Sequence, residues 1–138
     1  MASAVKFEHF AEALANEEVD IFGTTDTFKA ALHSDAPTAA TDDELADLTQ
    51  VTGTGYTAGG DDIQNDGTRS GGTVTMTAVD HTWTAGAADW GTFRYVAIHD
   101  DTSTTDILMF DYDYGGNVVL GSAETFTCDY GASLATLA

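Results

Sequence analysis

The histidines are the side chains of this sequence best suited to bind a metal ion or to move a proton near neutral pH. There are four, His9, His33, His81 and His99, and they are isolated from one another along the chain. No pair has a spacing that would bring two imidazoles together on one predicted helix or strand. The sequence therefore predicts no metal site, and we expect histidines that are partly exposed or hydrogen-bonded within the fold.

Two acidic stretches begin as a calcium-binding loop begins. In DYDYGGN, Asp111 and Asp113 stand two residues apart, but Gly115 occupies the place of a third oxygen ligand and no glutamate closes the loop at its twelfth position. The stretch DDIQNDG is incomplete in a similar way. Solvated turn carboxylates are the favoured interpretation. A carboxylate pair for glycoside hydrolysis is disfavoured, because a chain of 138 residues leaves little room for a substrate cleft.

The well-defined catalytic motifs are missing from the sequence. It contains no GxSxG elbow, no P-loop, no HExxH and no CxxC. Cys128 is the single cysteine, and it shares one face of a predicted strand with Phe126 and Tyr130. A buried structural thiol is favoured there over a nucleophile. We therefore expect a protein that is not an enzyme and that uses no cofactor.

Two tryptophans could form a surface for a sugar or a protein. Trp83 and Trp90 flank TAGAAD, a loop of mostly small residues at the predicted edge of a sheet. Packing in the core or at its rim is favoured, because tryptophan is mostly buried in folded domains. A carbohydrate- or receptor-binding module is the alternative that these residues leave open.

The charge balance excludes some partners and suggests a source. The chain carries 23 Asp and Glu against four Lys and Arg, for a formal net charge of -19. Such a surface repels nucleic acid and anionic membranes, so we expect direct contact with neither. Scattered acids with almost no lysine favour a halophilic source, since about 1 M salt cuts the Debye length to roughly 3 Å. An acidic protein from ordinary salt is the alternative.

The elements that must position these residues begin with an amphipathic helix. Ser3 is a plausible N-cap for a helix running to about Asn16, and Phe7, Phe10 and Leu14 fall close to one stripe at helical spacing. This apolar stripe needs a partner, either on the same domain or on a neighbouring subunit. No apolar span is long enough for a transmembrane helix, and no signal peptide is recognisable.

The rest of the chain predicts strands. A first strand is expected at about Thr25 to Ser34, followed by a two-turn helix with Thr41 and Glu44 at capping-box spacing. From Val51 onward, short β-branched and aromatic segments alternate with Gly-rich or Asp-rich turns. This pattern predicts a mainly β fold, an antiparallel sandwich or jelly roll. We expect a helical arm over residues 1–20 and a single β-sandwich domain over residues 21–138.

A hairpin is predicted for FRYVAIHDDTSTTDILMFDYDY. With a loop of Asp101 to Thr104, Arg94 lies opposite Asp111, which supplies the carboxylate that the arginine needs. An odd-numbered loop would place Arg94 opposite Tyr112 instead.

The two faces of this hairpin are assigned by alternation along the strand. Phe93, Tyr95 and Ala97 are predicted to face the core between two sheets. Val96 and Ile98 are predicted to face a second cover, either the N-terminal helix or another subunit.

Several ordered motifs together resemble a known family. They are GTGYTAGGDDI, GGTVTMTAVDHTWTA, FRYVAIHDDTSTTDILMFDYDYGGNVVL and ETFTCDYGASLATLA. In this order the sequence resembles small virion proteins of tailed viruses, and the resemblance covers nearly the whole chain. It departs from the family pattern at DDIQNDG, where an apolar strand commonly follows the double glycine.

The resemblance implies a structural role in a virion, most plausibly as a capsid decoration (cement) protein present in many copies. The implied partners are the major capsid protein or other virion proteins, with further copies of the same chain in a homo-oligomer. A head-to-tail connector, a tail component and a turret component are the alternatives from the same class. The resemblance carries over no catalytic residue.

Overall fold

Antiparallel strands dominate the computed structural model, which describes residues 3–22 and 25–138. Strands make up 41% of the described residues and helix 8%, so the predicted mainly β, sandwich-like class is confirmed. The strands are β1 (Ser3–Lys6), β2 (Phe28–His33), β3 (Asp61–Asp62), β4 (Asp66–Ser70), β5 (Thr73–Thr77), β6 (His81–Thr84), β7 (Phe93–Asp100), β8 (Ile107–Val118), β9 (Thr125–Cys128) and β10 (Ala135–Leu137). An α-helix, α1 (Glu8–Ala15), and a 3-10 turn (Leu45–Asp47) complete the elements.

The strands form three sheets. The largest has five strands in the order β1-β8-β7-β2-β3, and the long β7–β8 hairpin lies at its centre. A three-stranded sheet follows the order β10-β5-β4, and β6 pairs with β9 alone. No helix within the described ranges combines the length and the apolar composition that crossing a bilayer requires.

The N-terminal helix begins later than the sequence predicts. Residues 3–6 form β1, which pairs with β8 so that Val5 lies opposite Asp111. The helix starts at Glu8, with Phe7 in extended conformation as its N-cap. Helical periodicity was a poor guide to residues 3–6 because β8 offers their backbone groups a hydrogen-bonding edge, which a local pattern cannot reveal.

The second helix is also shorter than predicted. Only Leu45–Asp47 is helical, as a single 3-10 turn, and Glu44 and Asp47 form the capping box in place of Thr41 and Glu44. The first strand lies inside its predicted range, at Phe28–His33.

The stretch DDIQNDG begins with a strand in spite of its acidity. Asp61 and Asp62 pair with Ala30 and Lys29 of β2. Gly60 brings the chain into this position with a φ of +76°, and a Cβ there would lie 1.8 Å from the carbonyl oxygen of Ala30. A glycine is required at this point, because any side chain would collide with β2.

The hairpin forms, but the predicted register is wrong. Its loop has six residues, 101–106, and Asp100 lies opposite Ile107. Ile98 then pairs with Phe110 while His99 pairs with Leu108, so Met109 is an extra residue in a β-bulge. The six-residue loop and this bulge bring Asp111 opposite Ala97, not opposite Arg94, and a second irregularity follows at Arg94.

The core has two parts, one on each face of the five-stranded sheet. The main core holds Val96 and Ile98 together with Phe93 and with Phe10 of α1, whose ring meets Phe110 edge-on at 5.1 Å. A smaller cluster on the other face consists of Phe7, Ala31, Leu45, Leu48, Ala97 and Leu108.

The prediction that one hairpin face holds Phe93 and Ala97 together is therefore wrong. The irregularity at Arg94 moves Phe93 to the face of Val96, because a strand irregularity shifts side-chain alternation.

Candidate functional site

The face of the five-stranded sheet that carries the smaller cluster also carries most of its charged and titratable side chains. We call it the polar face. Alternation along β2 and β7 places Lys29, His33, Tyr95 and His99 on it, with Asp111 and other residues of β8 beside them. Three separate groupings result, and each has a different depth and chemistry.

The first grouping is a sealed histidine–aspartate pair. His33 Nε2 lies 2.5 Å from Asp111 Oδ2, and the two side chains are 0% and 1% exposed. Burial raises the pKa of Asp111, and the hydrogen bond from His33 opposes that rise. A substrate has no access to either group, so the pair connects β2 to β8 across the intervening strand β7.

The second grouping is an ion pair at the surface. Arg94 Nε and Nη2 donate to the two carboxylate oxygens of Asp113 at 2.7 and 2.8 Å, in the bidentate geometry that a guanidinium favours. The Arg94 hydrogen bonds hold the pKa of Asp113 down at about 2, and Asp113 raises the pKa of Arg94. The predicted pairing of Arg94 with Asp111 is wrong, because the hairpin register differs and Asp111 binds His33 instead.

Tyr95 joins these two groupings. The Arg94 guanidinium carbon lies 5.4 Å from the centre of the Tyr95 ring, and the same ring stacks on His33 with centroids 5.4 Å apart. One continuous chain of contacts therefore runs from the exposed arginine to the buried Asp111.

The third grouping lies at the loop end of the hairpin, and we call it the hairpin-end cluster: His99, Asp101 and Asp106. One ligand atom from each residue lies within 4.8 Å of the other two. His99 is fully buried, whereas Asp101 and Asp106 are 35% and 43% exposed. Lys29 Nζ lies 2.8 Å from Asp101 Oδ2 at the edge of the cluster.

Sequence reasoning missed the hairpin-end cluster because it searched for pairs of histidines. The signal was a histidine two residues before the loop's first residue, with an aspartate at each end of the six-residue loop that forms. The predicted four-residue loop ends at Thr104 and leaves Asp106 in the next strand. The signal can therefore be recognised only when the loop is known to run from residue 101 to residue 106.

The proposed tryptophan surface does not form. Trp83 and Trp90 are 2% and 3% exposed, so the favoured prediction of core packing is confirmed. The Trp90 indole donates to the carbonyl of Thr54 at 2.8 Å, and Trp83 packs with Phe126 at 6.1 Å between ring centroids.

The remaining singled-out side chains are apolar or structural. Phe7 and Phe10 are fully buried, and Leu14 packs partly buried against the main core. Cys128 is buried, and burial raises the pKa of its thiol to about 11. A thiol so far from ionisation at neutral pH agrees with the predicted structural role.

The acidic stretches that resemble calcium loops are used inside the fold. In DYDYGGN, Asp111 and Asp113 bind His33 and Arg94 as described. In DDIQNDG, Asp61 accepts a hydrogen bond from His81 Nε2 at 3.0 Å, and Asp62 accepts one from the backbone of Gln64.

Comparison with known proteins returned no match: no protein-family model fits the chain, and neither the curated proteins nor the solved structures contain a significant relative.

Proposed function

We propose that the protein is a non-enzymatic structural component of a virion, most specifically a capsid decoration protein that binds the major capsid lattice in many copies. Two lines of argument support this proposal. One is the resemblance that we infer from the ordered motifs of the sequence. The other is the structure of the N-terminal strand.

The supporting structural observation is the position of β1. It is the outermost strand of the five-stranded sheet, and the side chains of Ala4, Val5 and Lys6 are exposed. No other strand of the described residues pairs with its outer edge. An open edge strand with a single charge is a template for pairing with another chain. Weak pairing of this kind becomes effective on a lattice, because many copies bind side by side.

The groupings of the polar face support a structural role in a different way. The His33–Asp111 pair is sealed, and the Arg94 and Asp113 charges satisfy each other. These side chains are used to hold strands together, and the tryptophans that suggested a glycan-binding module are inside the core. The decoration role is therefore favoured over the receptor-binding module.

The copy number per particle tests the proposal. Quantitative mass spectrometry of purified virions, with the major capsid protein as internal standard, should give hundreds of copies. A value near six or twelve, with signal at a single vertex in electron micrographs, would overturn the decoration role in favour of a connector or tail component.

The role of β1 can be tested by adding the purified chain to particles that lack it. Val5→Asp should weaken co-sedimentation with the particles, since it places a negative charge on the open strand. Val119→Asp is the matched control, because Val119 is also an exposed valine, 54% against 38% for Val5, and lies outside β1. Equal binding by both variants would remove β1 from the interface.

A further inference from the structure

We propose that the hairpin-end cluster binds one divalent transition-metal cation, such as Mn²⁺ or Zn²⁺, through His99, Asp101 and Asp106. This site is independent of the virion role and lies in a part of the fold that the proposed function does not use.

The decisive residue is His99, whose two ring nitrogens have different surroundings. Nε2 lies 2.8 Å from the carbonyl oxygen of Gly59, and because a carbonyl only accepts, this nitrogen carries the proton. Nδ1 is then the nitrogen that can offer a lone pair, and it is buried. A histidine that donates one ring N–H to a backbone carbonyl presents its other nitrogen in the usual manner of a metal ligand.

His99 Nδ1 lies close to an anion. Nδ1 is buried, has no hydrogen-bond partner among the described residues, and lies 3.9 Å from Asp106 Oδ1. Because the nitrogen is buried, a lone pair beside a carboxylate is unfavourable there unless a positive charge lies between the two groups. A metal ion at this point would satisfy both groups.

The carboxylates can close on an ion by small rotations. Metal–ligand bonds of about 2.0–2.2 Å place neighbouring ligand atoms about 3–4 Å apart, so the present separations of up to 4.8 Å must shrink by roughly 1 Å. Asp101 and Asp106 are partly exposed and therefore able to rotate. Lys29 contributes one positive charge beside Asp101, which leaves the two carboxylates with a net negative charge.

The donor set selects the type of metal. One imidazole nitrogen and two carboxylate oxygens suit Zn²⁺ or Mn²⁺, whereas Ca²⁺ takes oxygen ligands almost entirely. Three protein ligands would leave a position for water.

A bound ion would tie the two ends of the 101–106 loop to β7. This loop lines an open surface recess of about 340 Å³, with Thr102, Ser103, Thr104 and Thr105 among its walls. The ion would therefore fix the shape of that recess.

Calorimetric titration of the EDTA-treated full chain with MnCl₂, and separately with ZnCl₂, tests the site. About 1 M KCl in the buffer suppresses diffuse cation binding to the acidic surface, since the Debye length is then roughly 3 Å. We expect saturable binding of one ion per chain. Asp106→Asn should weaken the affinity at least about tenfold, and asparagine tolerates the φ of +55° found at this position.

The matched control is Asp61→Asn, which makes the same change in charge at a different His–Asp contact, where His81 and Asp61 are 30% and 36% exposed. This variant should bind as the native chain does. Mn²⁺ should also broaden the NMR signals of the His99 ring before those of His81, which gives a result that does not depend on any variant folding.

Three results would overturn the proposal. The first is a lack of saturable binding by the native chain, and the second is unchanged affinity in Asp106→Asn. The third is nitrogen NMR showing His99 protonated on both ring nitrogens at neutral pH, since that ring has no lone pair to offer.

Discussion

Asp111 and Asp113 lie two residues apart on the same face of β8, yet they occupy opposite environments. Asp111 is 1% exposed, bound to a histidine, and has a raised pKa. Asp113 is 32% exposed, bound to an arginine, and has a pKa of about 2. Depth in the fold separates them, because burial penalises the charged carboxylate while a nearby guanidinium stabilises it.

The difference shows how this chain distributes its few positive charges. Two of the four lysines and arginines, Arg94 and Lys29, pair with carboxylates that keep contact with water, Asp113 and Asp101. The deeply buried carboxylate Asp111 is given a histidine, which can be neutral and is therefore less costly to bury than a guanidinium.

Removal of the buried carboxylate should have the largest effect on stability. Asp111→Ala should lower the free energy of unfolding by about 3 kcal/mol, because it leaves His33 Nε2 buried without its partner. Asp113→Ala should cost much less, since Arg94 can turn to solvent. Urea denaturation followed by circular dichroism, in one KCl concentration for all variants, measures both. Equal losses in the two variants would mean that depth does not decide the value of these carboxylates.

A double-mutant cycle serves as the control for Asp111. His33→Gln combined with Asp111→Asn should be less destabilising than the sum of the single changes, because the two side chains are in direct contact. Strict additivity would show that the loss in Asp111→Ala comes from the cavity and not from the pair.

The contributions of the two aspartates to stability should change with pH in opposite directions. The pKa of Asp113 is lower in the folded chain than in the unfolded one, so its stabilising contribution is present above about pH 4 and is lost as the pH falls toward 2. The raised pKa of Asp111 gives a contribution that decreases as the pH rises through the folded-state value. Carbon NMR titration of the aspartate carboxyls should show the two shifted in opposite directions from the ordinary value near 3.9.

Arg94→Met is the control for this titration. The variant should return the pKa of Asp113 toward its ordinary value and leave that of Asp111 raised, since burial acts on Asp111 without help from the arginine. A pKa of Asp111 that falls to the ordinary range in the native chain would contradict the assignment of the two environments.

The His33–Asp111 and Arg94–Asp113 pairs show which features the sequence can predict and which it cannot. The turn-punctuated, β-branched segments predict the strand class, and the apolar alternation of FRYVAIHD predicts that β7 is buried on both faces. Both follow from local composition. The His33–Asp111 contact spans 78 positions, and nothing local in either segment indicates it.

The predicted register of the hairpin is wrong for a related reason. The loop is six residues long and Met109 is a bulge, so small local features place Asp113 opposite Tyr95, within reach of the Arg94 side chain, and Asp111 opposite Ala97. A shift of one residue also turns side chains to the other face, which is why the arrangement of the polar face could not be predicted from the strand pattern. The helical pattern of residues 3–6 failed because β8 competes for their backbone groups.

Replacement of the exposed arginine by lysine should have the smallest effect on stability. Arg94→Lys keeps the charge but removes the bidentate hydrogen bonds and the guanidinium contact with Tyr95, so it should raise the pKa of Asp113 and destabilise the fold slightly. Raising KCl from about 0.1 to 1 M should reduce the difference between native and variant chains, because an exposed ion pair is screened at that salt concentration. The loss in Asp111→Ala should stay nearly constant over the same range, since its site is buried and screened much less. The expected difference between the two aspartates would be contradicted if the stability loss in Asp111→Ala depended on salt, or if the stability loss in Arg94→Lys did not.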